Sequence, residues 1–338
     1  MNARSHRFGR PAIAMLLMAV ALPVRSQSPQ PADWKDPSAH VQRFVTTSDN
    51  VRLEVLDWGG SGRPLVLLPG GGNTAHVFDD FATKLTADFH VYGITRRGFG
   101  ESGYATPAAG ADTYGDDVLA VLDALRLEKP VLVGHSIGGQ ELSSVATRYP
   151  ARVAALVYLD AAYPYAFDNG KGPTMNDFQG LHPPQPPPPG DADLTSVSAL
   201  RQYLVRVQGV ASPEAEIRQQ RTIGPDGHLG KQRNFPGYAT LLSGMKPYVD
   251  VRVPALILVA QPHGLSRWVA STTDAGVRTQ AAAFTDALSA LTERQMKIVE
   301  ALAPTARIVK LPGADHYVYL SHEADVLREM RTFLGRSR

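Results

Sequence analysis

Nucleophilic chemistry is best provided for at a serine framed by glycines, Gly134-His135-Ser136-Ile137-Gly138. The pattern alone is common, and its surroundings sharpen it. The apolar run Val131–Val133 predicts a short buried strand just before it, and Ile137–Tyr149 reads as a helix stopped by Pro150. So tight a strand-to-helix turn strains the serine backbone and leaves no room for side chains at the glycines. Ser136 Oγ would then stand at the sheet edge, beside the positive end of the new helix.

A serine hydroxyl needs a base. Of the ten histidines, His316 is best placed, in Leu311-Pro312-Gly313-Ala314-Asp315-His316, past the last predicted strand and before the last helix. The strand C-termini of a parallel sheet share one edge, so His316 and Ser136 can converge although far apart in the chain. His135 neighbours the serine and points elsewhere. An acid should hold the imidazole in the right tautomer and stabilise the imidazolium. The loop after Leu256–Ala260 reads Gln261-Pro262-His263-Gly264 and offers none. One strand earlier, Leu156–Leu159 ends in Asp160, which is read as the acid. Asp274 is the alternative, with Asp250 and Asp286 behind it.

Backbone N–H groups should stabilise an oxyanion, one from Ile137 and one from Pro69-Gly70-Gly71-Gly72, where Gly71 is the expected donor. This glycine run lacks the Gly-Lys-Ser/Thr ending and the spacing of a nucleotide-binding loop. Metal binding has little support: there is no HExxH and no close histidine pair on a predicted helix face. No cofactor is called for.

The elements that must position these residues alternate between strand and helix. Val41–Val45, Val51–Trp58, Leu65–Leu68, His90–Ile94, Val131–Val133, Leu156–Leu159, Leu256–Ala260 and Ile308–Leu311 read as strands. Helical spacing is seen at Thr74–Leu85, at Asp112–Leu125 with Asp112 as its cap, at Ile137–Tyr149 and at Glu323–Leu334. The fold class is therefore α/β, a mostly parallel central sheet of about eight strands with helices on both faces. The core spans 40–162 and 251–338. Between them, 163–250 opens with Tyr163, Tyr165 and Phe167 and carries His182 and the proline run to Pro189. Helical patterns follow at Ala199–Val207 and Pro213–Arg221. The segment is read as a lid inserted over the sheet's C-terminal edge, with its proline run as an extended strap.

Across the 338 residues, 43% hydrophobic and 20% charged, the composition is that of a globular protein. With 34 basic against 32 acidic residues, net +2, nothing asks for nucleic acid. The absence of cysteine excludes disulfides and thiol chemistry. Arg4, His6, Arg7 and Arg10 precede an apolar run from Pro11 to Val24, and Val24-Arg25-Ser26 offers small residues at a cleavage site. That order predicts a signal peptide over 1–26, cleaved after Ser26, with a linker over 27–39 and a periplasmic or secreted product. The run is short for a membrane span, so no stable insertion is expected after cleavage.

The pieces Leu-Leu-Pro-Gly-Gly-Gly at 67–72, Arg-Arg-Gly-Phe-Gly-Glu-Ser at 96–102, Gly-His-Ser-Ile-Gly-Gly at 134–139 and Gly-Ala-Asp-His at 313–316 together resemble the α/β-hydrolase superfamily, from about Phe44 to Leu334. The resemblance implies acyl transfer through a covalent acyl-enzyme, without a cofactor. Pro69 stands where many members have histidine. Some members, haloalkane dehalogenases among them, carry the acid where Asp160 lies, but dehalogenases and epoxide hydrolases use an aspartate nucleophile, unlike Ser136. The expected activity is hydrolysis of a carboxylic ester of a small apolar molecule. The same residues could serve an amide, lactone or thioester, or an aminopeptidase using Asp168, Asp177, Asp191 or Glu214 to hold an ammonium. A non-catalytic binding scaffold is the remaining reading. Oligomeric state is not read from the sequence.

Overall fold

Successive side chains of a strand point to opposite faces, and in this chain both faces are covered. Val66, Leu68, Leu132, Leu156, Tyr158, Ile257 and Val259 join one apolar cluster, while Leu65, Leu67, Val131, Val133, Val157, Leu256 and Leu258 join the other. That is why these strands read as unbroken apolar runs. The computed structural model describes residues 34–104 and 110–335. The expected leader, and the linker as far as residue 33, lie outside the described residues.

The strands are β1 (Val41–Thr46), β2 (Arg52–Gly59), β3 (Arg63–Leu68), β4 (Phe89–Ile94), β5 (Val131–His135), β6 (Ala155–Leu159), β7 (Arg221–Ile223), β8 (Leu229–Gln232), β9 (Ala255–Val259) and β10 (Arg307–Lys310). Eight form one sheet in the order β1-β2-β4-β3-β5-β6-β9-β10, and β7 and β8 pair separately as a hairpin. The pairs β1–β2 and β2–β4 are antiparallel, and every other neighbour pair in the sheet is parallel. Strand order reverses between β3 and β5, so the loops leaving these two strands part at the crevice where such sheets bind ligands. Those loops carry Gly70–Gly72 and Ser136.

The helices are α1 (Asp79–Ala82), α2 (Ala111–Ala124), α3 (Gly138–Arg148), α4 (Met175–Gln179), α5 (Val197–Gln208), α6 (Glu214–Gln220), α7 (Gly237–Ser243), α8 (Arg267–Ser271), α9 (Ala275–Leu302), α10 (Val318–Ser321) and α11 (Glu323–Gly335). Tyr114, Val118 and Val121 of α2, Leu142 and Val145 of α3, and Met296 and Val299 of α9 cover one face of the sheet. Phe78, Phe81, Val326, Leu327 and Met330 cover the other.

Two expectations are corrected. Thr74–Leu85 is not one helix but a 3₁₀ turn, Ala75–Phe78, followed by the single turn α1. There the Thr83 and Thr86 hydroxyls donate to the carbonyls of Asp80 and Thr83, local bonds that compete with helix continuation. Asp112 does not cap α2. Gly110 holds that position, and Asp112 instead accepts from Ser144 and Tyr248 and pairs with Lys246. Tyr163, Tyr165 and Phe167, which open the segment read as a lid, are buried in the main core. The longest helix, the 28-residue α9, has no counterpart in the sequence reading. Its exposed first half buries little, which weakened the apolar stripe.

Asp274 caps α9, its carboxylate accepting from the N–H groups of Gly276 (2.7 Å) and Val277 (3.2 Å). Asp274→Ala should lower stability by about 1 kcal/mol, as for other N-caps, read as a shift of the urea midpoint with unchanged slope. A shift near zero would mean that the cap adds nothing here.

Candidate active site

The turn after β5 brings Ser136 to φ +50, a left-handed conformation rare for a residue with a side chain. Its neighbours leave no alternative. A Cβ on Gly134 would lie 2.8 Å from the Gly138 backbone, and one on Gly139 2.1 Å from the Ala161 carbonyl. The Ser136 N–H donates to Leu159 O at 3.2 Å, which ties the elbow to the end of β6.

Ser136, His316 and Asp160 are brought into one hydrogen-bonded chain. Ser136 Oγ lies 2.9 Å from His316 Nε2, and His316 Nδ1 lies 2.7 Å from Asp160 Oδ2. A carboxylate only accepts, so Nδ1 carries the proton and Nε2 is left to accept from the serine. Asp160 sits just past β6 at φ +46 with a fully buried carboxylate. It also accepts from Ala260 N–H at 3.0 Å and from Tyr163 Oη at 3.1 Å to each oxygen, and His263 Nε2 stands 3.5 Å away. Burial opposes its ionisation, yet His263 and His316 hold its pKa well below the usual carboxylate range.

The other acids named from sequence do not bond to His316. Asp274 caps α9, Asp250 pairs with Arg252 at the surface, and Asp286 is exposed on α9. His135 turns away from Ser136 and is buried against His316, Tyr317 and Tyr319. Burial and the neighbouring His316 push its pKa down to about 3, so it is neutral, and its Nε2–H donates to His316 O at 3.0 Å. It thus fixes the backbone of the residue whose side chain meets the serine.

Gly71 lies beside Ile137, close enough that an added Cβ would come within 3.7 Å of the isoleucine side chain. Neither backbone N–H donates to a described residue. The Gly-rich loop is held on two sides by residues the sequence reading did not single out. Arg96 donates to Pro69 O (2.7 Å) and Gly70 O (3.3 Å) and forms a bidentate pair with Glu141 of α3 (2.5 and 3.0 Å). Both partners are buried, so the pair locks the loop to the helix that follows Ser136. From α6, Glu216 accepts from Asn73 Nδ2 (2.9 Å), the Thr74 N–H (3.2 Å) and the Thr74 hydroxyl. Tyr317, next to His316, donates to Asn73 Oδ1 at 3.1 Å. The resemblance at 96–102 hinted at Arg96, but no local spacing announces Glu141 or Glu216.

Tyr238 and Leu241 of α7 approach Gly71, at 3.5 and 4.0 Å from its notional Cβ. The buried Tyr165 hydroxyl lies beside Ser136. Residues of 163–250 therefore border both Ser136 and the glycine loop.

The model of the alpha/beta hydrolase family matches residues 65–329, and the chain belongs to that family. It is 34% identical over 125 residues to a bifunctional esterase/perhydrolase of Acinetobacter calcoaceticus, a match covering 36% of this chain and 45% of that protein. The chain thus spans about half the length of the curated relatives it matches at this identity. A longer match, 26% over 266 residues, covers 77% of this chain and 83% of the 2-(acetamidomethylene)succinate hydrolase of Mesorhizobium japonicum. The crystal structure of an E-2-(acetamidomethylene)succinate hydrolase superposes with a TM-score of 0.60 at 21% identity, covering 88% of this chain and 99% of that one. The carboxylesterase CesB of Bacillus subtilis gives 0.55 at 17%, covering 88% and 92%. These structures share the fold.

Burial lifts the Glu216 carboxyl from 4.5 to about 6. Between those values the folded protein keeps a proton that the unfolded chain has released. Stability contributed through this group therefore falls as pH rises through the window, by up to about 2 kcal/mol, and is level above it. Urea unfolding of wild type and Glu216→Gln from pH 4 to 8 measures this. The variant should lack that component, and parallel curves would show that Glu216 titrates normally.

Proposed function

We propose that the chain is an exported serine hydrolase that cleaves the carboxylic ester of a small, neutral, apolar substrate. The observation that carries this reading is the hydrogen-bonded chain Ser136–His316–Asp160 at 2.9 and 2.7 Å. Ser136 Oγ attacks the ester carbonyl while His316 Nε2 takes its proton, and Asp160 stabilises the imidazolium that forms. The Gly71 and Ile137 N–H groups stabilise the tetrahedral oxyanion, each donor worth roughly 10²–10³ in rate. His316 then protonates the departing alkoxide, leaving Ser136 acylated. Water, deprotonated by His316, attacks the acyl group, and the serine is regenerated.

Neighbouring residues favour a neutral substrate. Arg96, the cation that reaches the Gly-rich loop, is committed to Glu141 and two carbonyls, while Tyr165, Tyr238 and Leu241 present aromatic and apolar surface. The aminopeptidase reading is disfavoured by the engagement of its acids elsewhere. Asp168 accepts from Gly170 N–H, Asp177 accepts from the N–H of Thr174, the N-cap of α4, and Glu214 pairs with Arg218, while Asp191 is exposed. Segment 163–250 acts as the lid, through α6 and α7. Export rests on the basic and apolar order of residues 4–26, with cleavage after Ser26.

Ser136→Ala should abolish both hydrolysis of activated esters and labelling by a fluorophosphonate, with the fold unchanged by circular dichroism. Asp160→Asn should slow turnover by about 10⁴, since the imidazole loses its tautomer. Labelling that survives Ser136→Ala would sink the assignment, and an unlabelled wild type would point to a binding scaffold.

A further inference from the structure

On the sheet face opposite α3, away from Ser136, two imidazoles and two carboxylates converge. Asp36 and His40 come from the segment entering β1, and His76 and Asp79 from the turns after the Gly-rich loop. One ligating atom from each lies within 4.8 Å of those from the other three. His40 and His76 are 5% exposed, Asp79 2% and Asp36 23%.

Asp36, His76 and Asp79 each have one atom turned inward and another held from outside, while His40 Nδ1 is bonded to Asp79 within the group. Asp36 Oδ1 accepts from Ser38 N–H at 2.9 Å, while Oδ2 stands 3.6 Å from His40 Nε2 and 3.5 Å from His76 Nδ1. Asp79 Oδ1 accepts from Trp58 Nε1–H at 3.0 Å and from His40 Nδ1 at 2.8 Å, and its Oδ2 lies 3.3 Å from His76 Nδ1. The far nitrogen of His76 faces Glu54 Oε1 at 3.4 Å. Three of the six separations among the inward atoms are 3.3–3.6 Å, and donor atoms of all four residues lie within 4.8 Å of one another. Those three are compatible with the edges, about 3.3–3.6 Å, of a tetrahedron whose centre lies 2.0–2.2 Å from nitrogen and oxygen ligands. The contact of His76 with Glu54, an imidazole nitrogen on a carboxylate outside the group, is the arrangement that orients metal-ligating imidazoles.

We propose that Asp36 Oδ2, His40 Nε2, His76 Nδ1 and Asp79 Oδ2 bind one divalent metal ion, and that zinc fits the donor set best. Neutral imidazoles with two carboxylates carry charge −2, which a divalent cation balances. Mixed nitrogen and oxygen donors in a four-coordinate site suit zinc over calcium or magnesium, which take six or more oxygens. All four positions are filled by protein, so the ion is structural. It ties the chain ahead of β1 to the turns that follow the oxyanion loop. A surface cleft lined by Pro37, Ser38 and Asp79 is its entry path. No motif announces the site, because its ligands reach one point from segments that are not neighbours in sequence.

The test uses the full chain, stripped with a chelator and dialysed, then titrated with Zn²⁺ or Co²⁺. Expected are one zinc per chain retained through gel filtration, intense visible bands of tetrahedral cobalt, and a Tm that rises with zinc. Asp36→Asn, which keeps an acceptor for Ser38, and His40→Gln should abolish the cobalt bands and the rise in Tm. Glu54→Gln should weaken zinc roughly 10–100-fold by releasing His76. A double variant of the exposed His182 and His228 should change nothing. Retention of zinc in both ligand variants would overturn the proposal, as would a folded wild type that binds none at micromolar concentration. An octahedral cobalt spectrum would also overturn it. These readouts are independent of hydrolysis, so they stand or fall apart from the activity proposed above.

Discussion

The Asp160 carboxylate has no exposure, and much of the site follows from keeping it ionised. A buried carboxylate without partners would take up a proton, since burial penalises the charged form. Here the N–H of Ala260, the hydroxyl of Tyr163 and the Nδ1–H of His316 all aim at it, with His263 at its edge. These donors come from the start of the loop after β9, the start of segment 163–250, and the loop after β10. Satisfying one charge therefore gathers three strand ends into register. The same bonds orient His316, so its second nitrogen can face Ser136 only while the carboxylate is held.

A second buried charge pair does for the Gly-rich loop what Asp160 does for the histidine. Arg96 and Glu141 would each be costly to bury alone, and a bidentate geometry with two added carbonyl contacts offsets that cost. The result links β4, the glycine loop and α3 into one unit, so that Gly71 and Ile137 keep their mutual position. Glu216 bonds the far side of the same loop from α6. The inserted segment is thereby joined to the site by buried hydrogen bonds rather than resting on the surface. Motion of that segment would be felt at Asn73 and Thr74, and through Tyr317 beside His316.

The cluster of Asp36, His40, His76 and Asp79 extends this pattern to the chain entering β1. Trp34 lies under the Arg218 guanidinium and Asp36 beside two buried histidines, so the described end of the expected linker is anchored on the core. The loop between β3 and β4 thus has contacts to α6, α3 and the segment before β1. Each is made by charged groups with little access to water, where electrostatic interactions are strong and misplacement is expensive.

Period and punctuation alone determined most of the architecture. Continuous apolar runs marked the central strands, which are covered on both faces, shorter apolar patterns marked the other strands of the sheet, and a glycine-flanked serine between a strand and a helix marked the elbow. Such signals are local: steric limits at Gly134 and Gly139 act on near neighbours, so they are legible along the chain. His316 and Asp160 could be suggested as neighbours of Ser136 because strand ends in a parallel sheet share an edge, with Asp274 left open as the alternative acid. Tertiary structure decided what sequence spacing does not carry. It set Asp160 apart from Asp274, since both acids follow plausible elements and only three-dimensional position puts one on His316 and makes the other a helix cap. It also paired Arg96 with Glu141 and Asn73 with Glu216, and buried Tyr163 and Tyr165 in the core. Long-range electrostatic pairing obeys distance in space, and nothing in the order of residues encodes that distance until the sheet has formed.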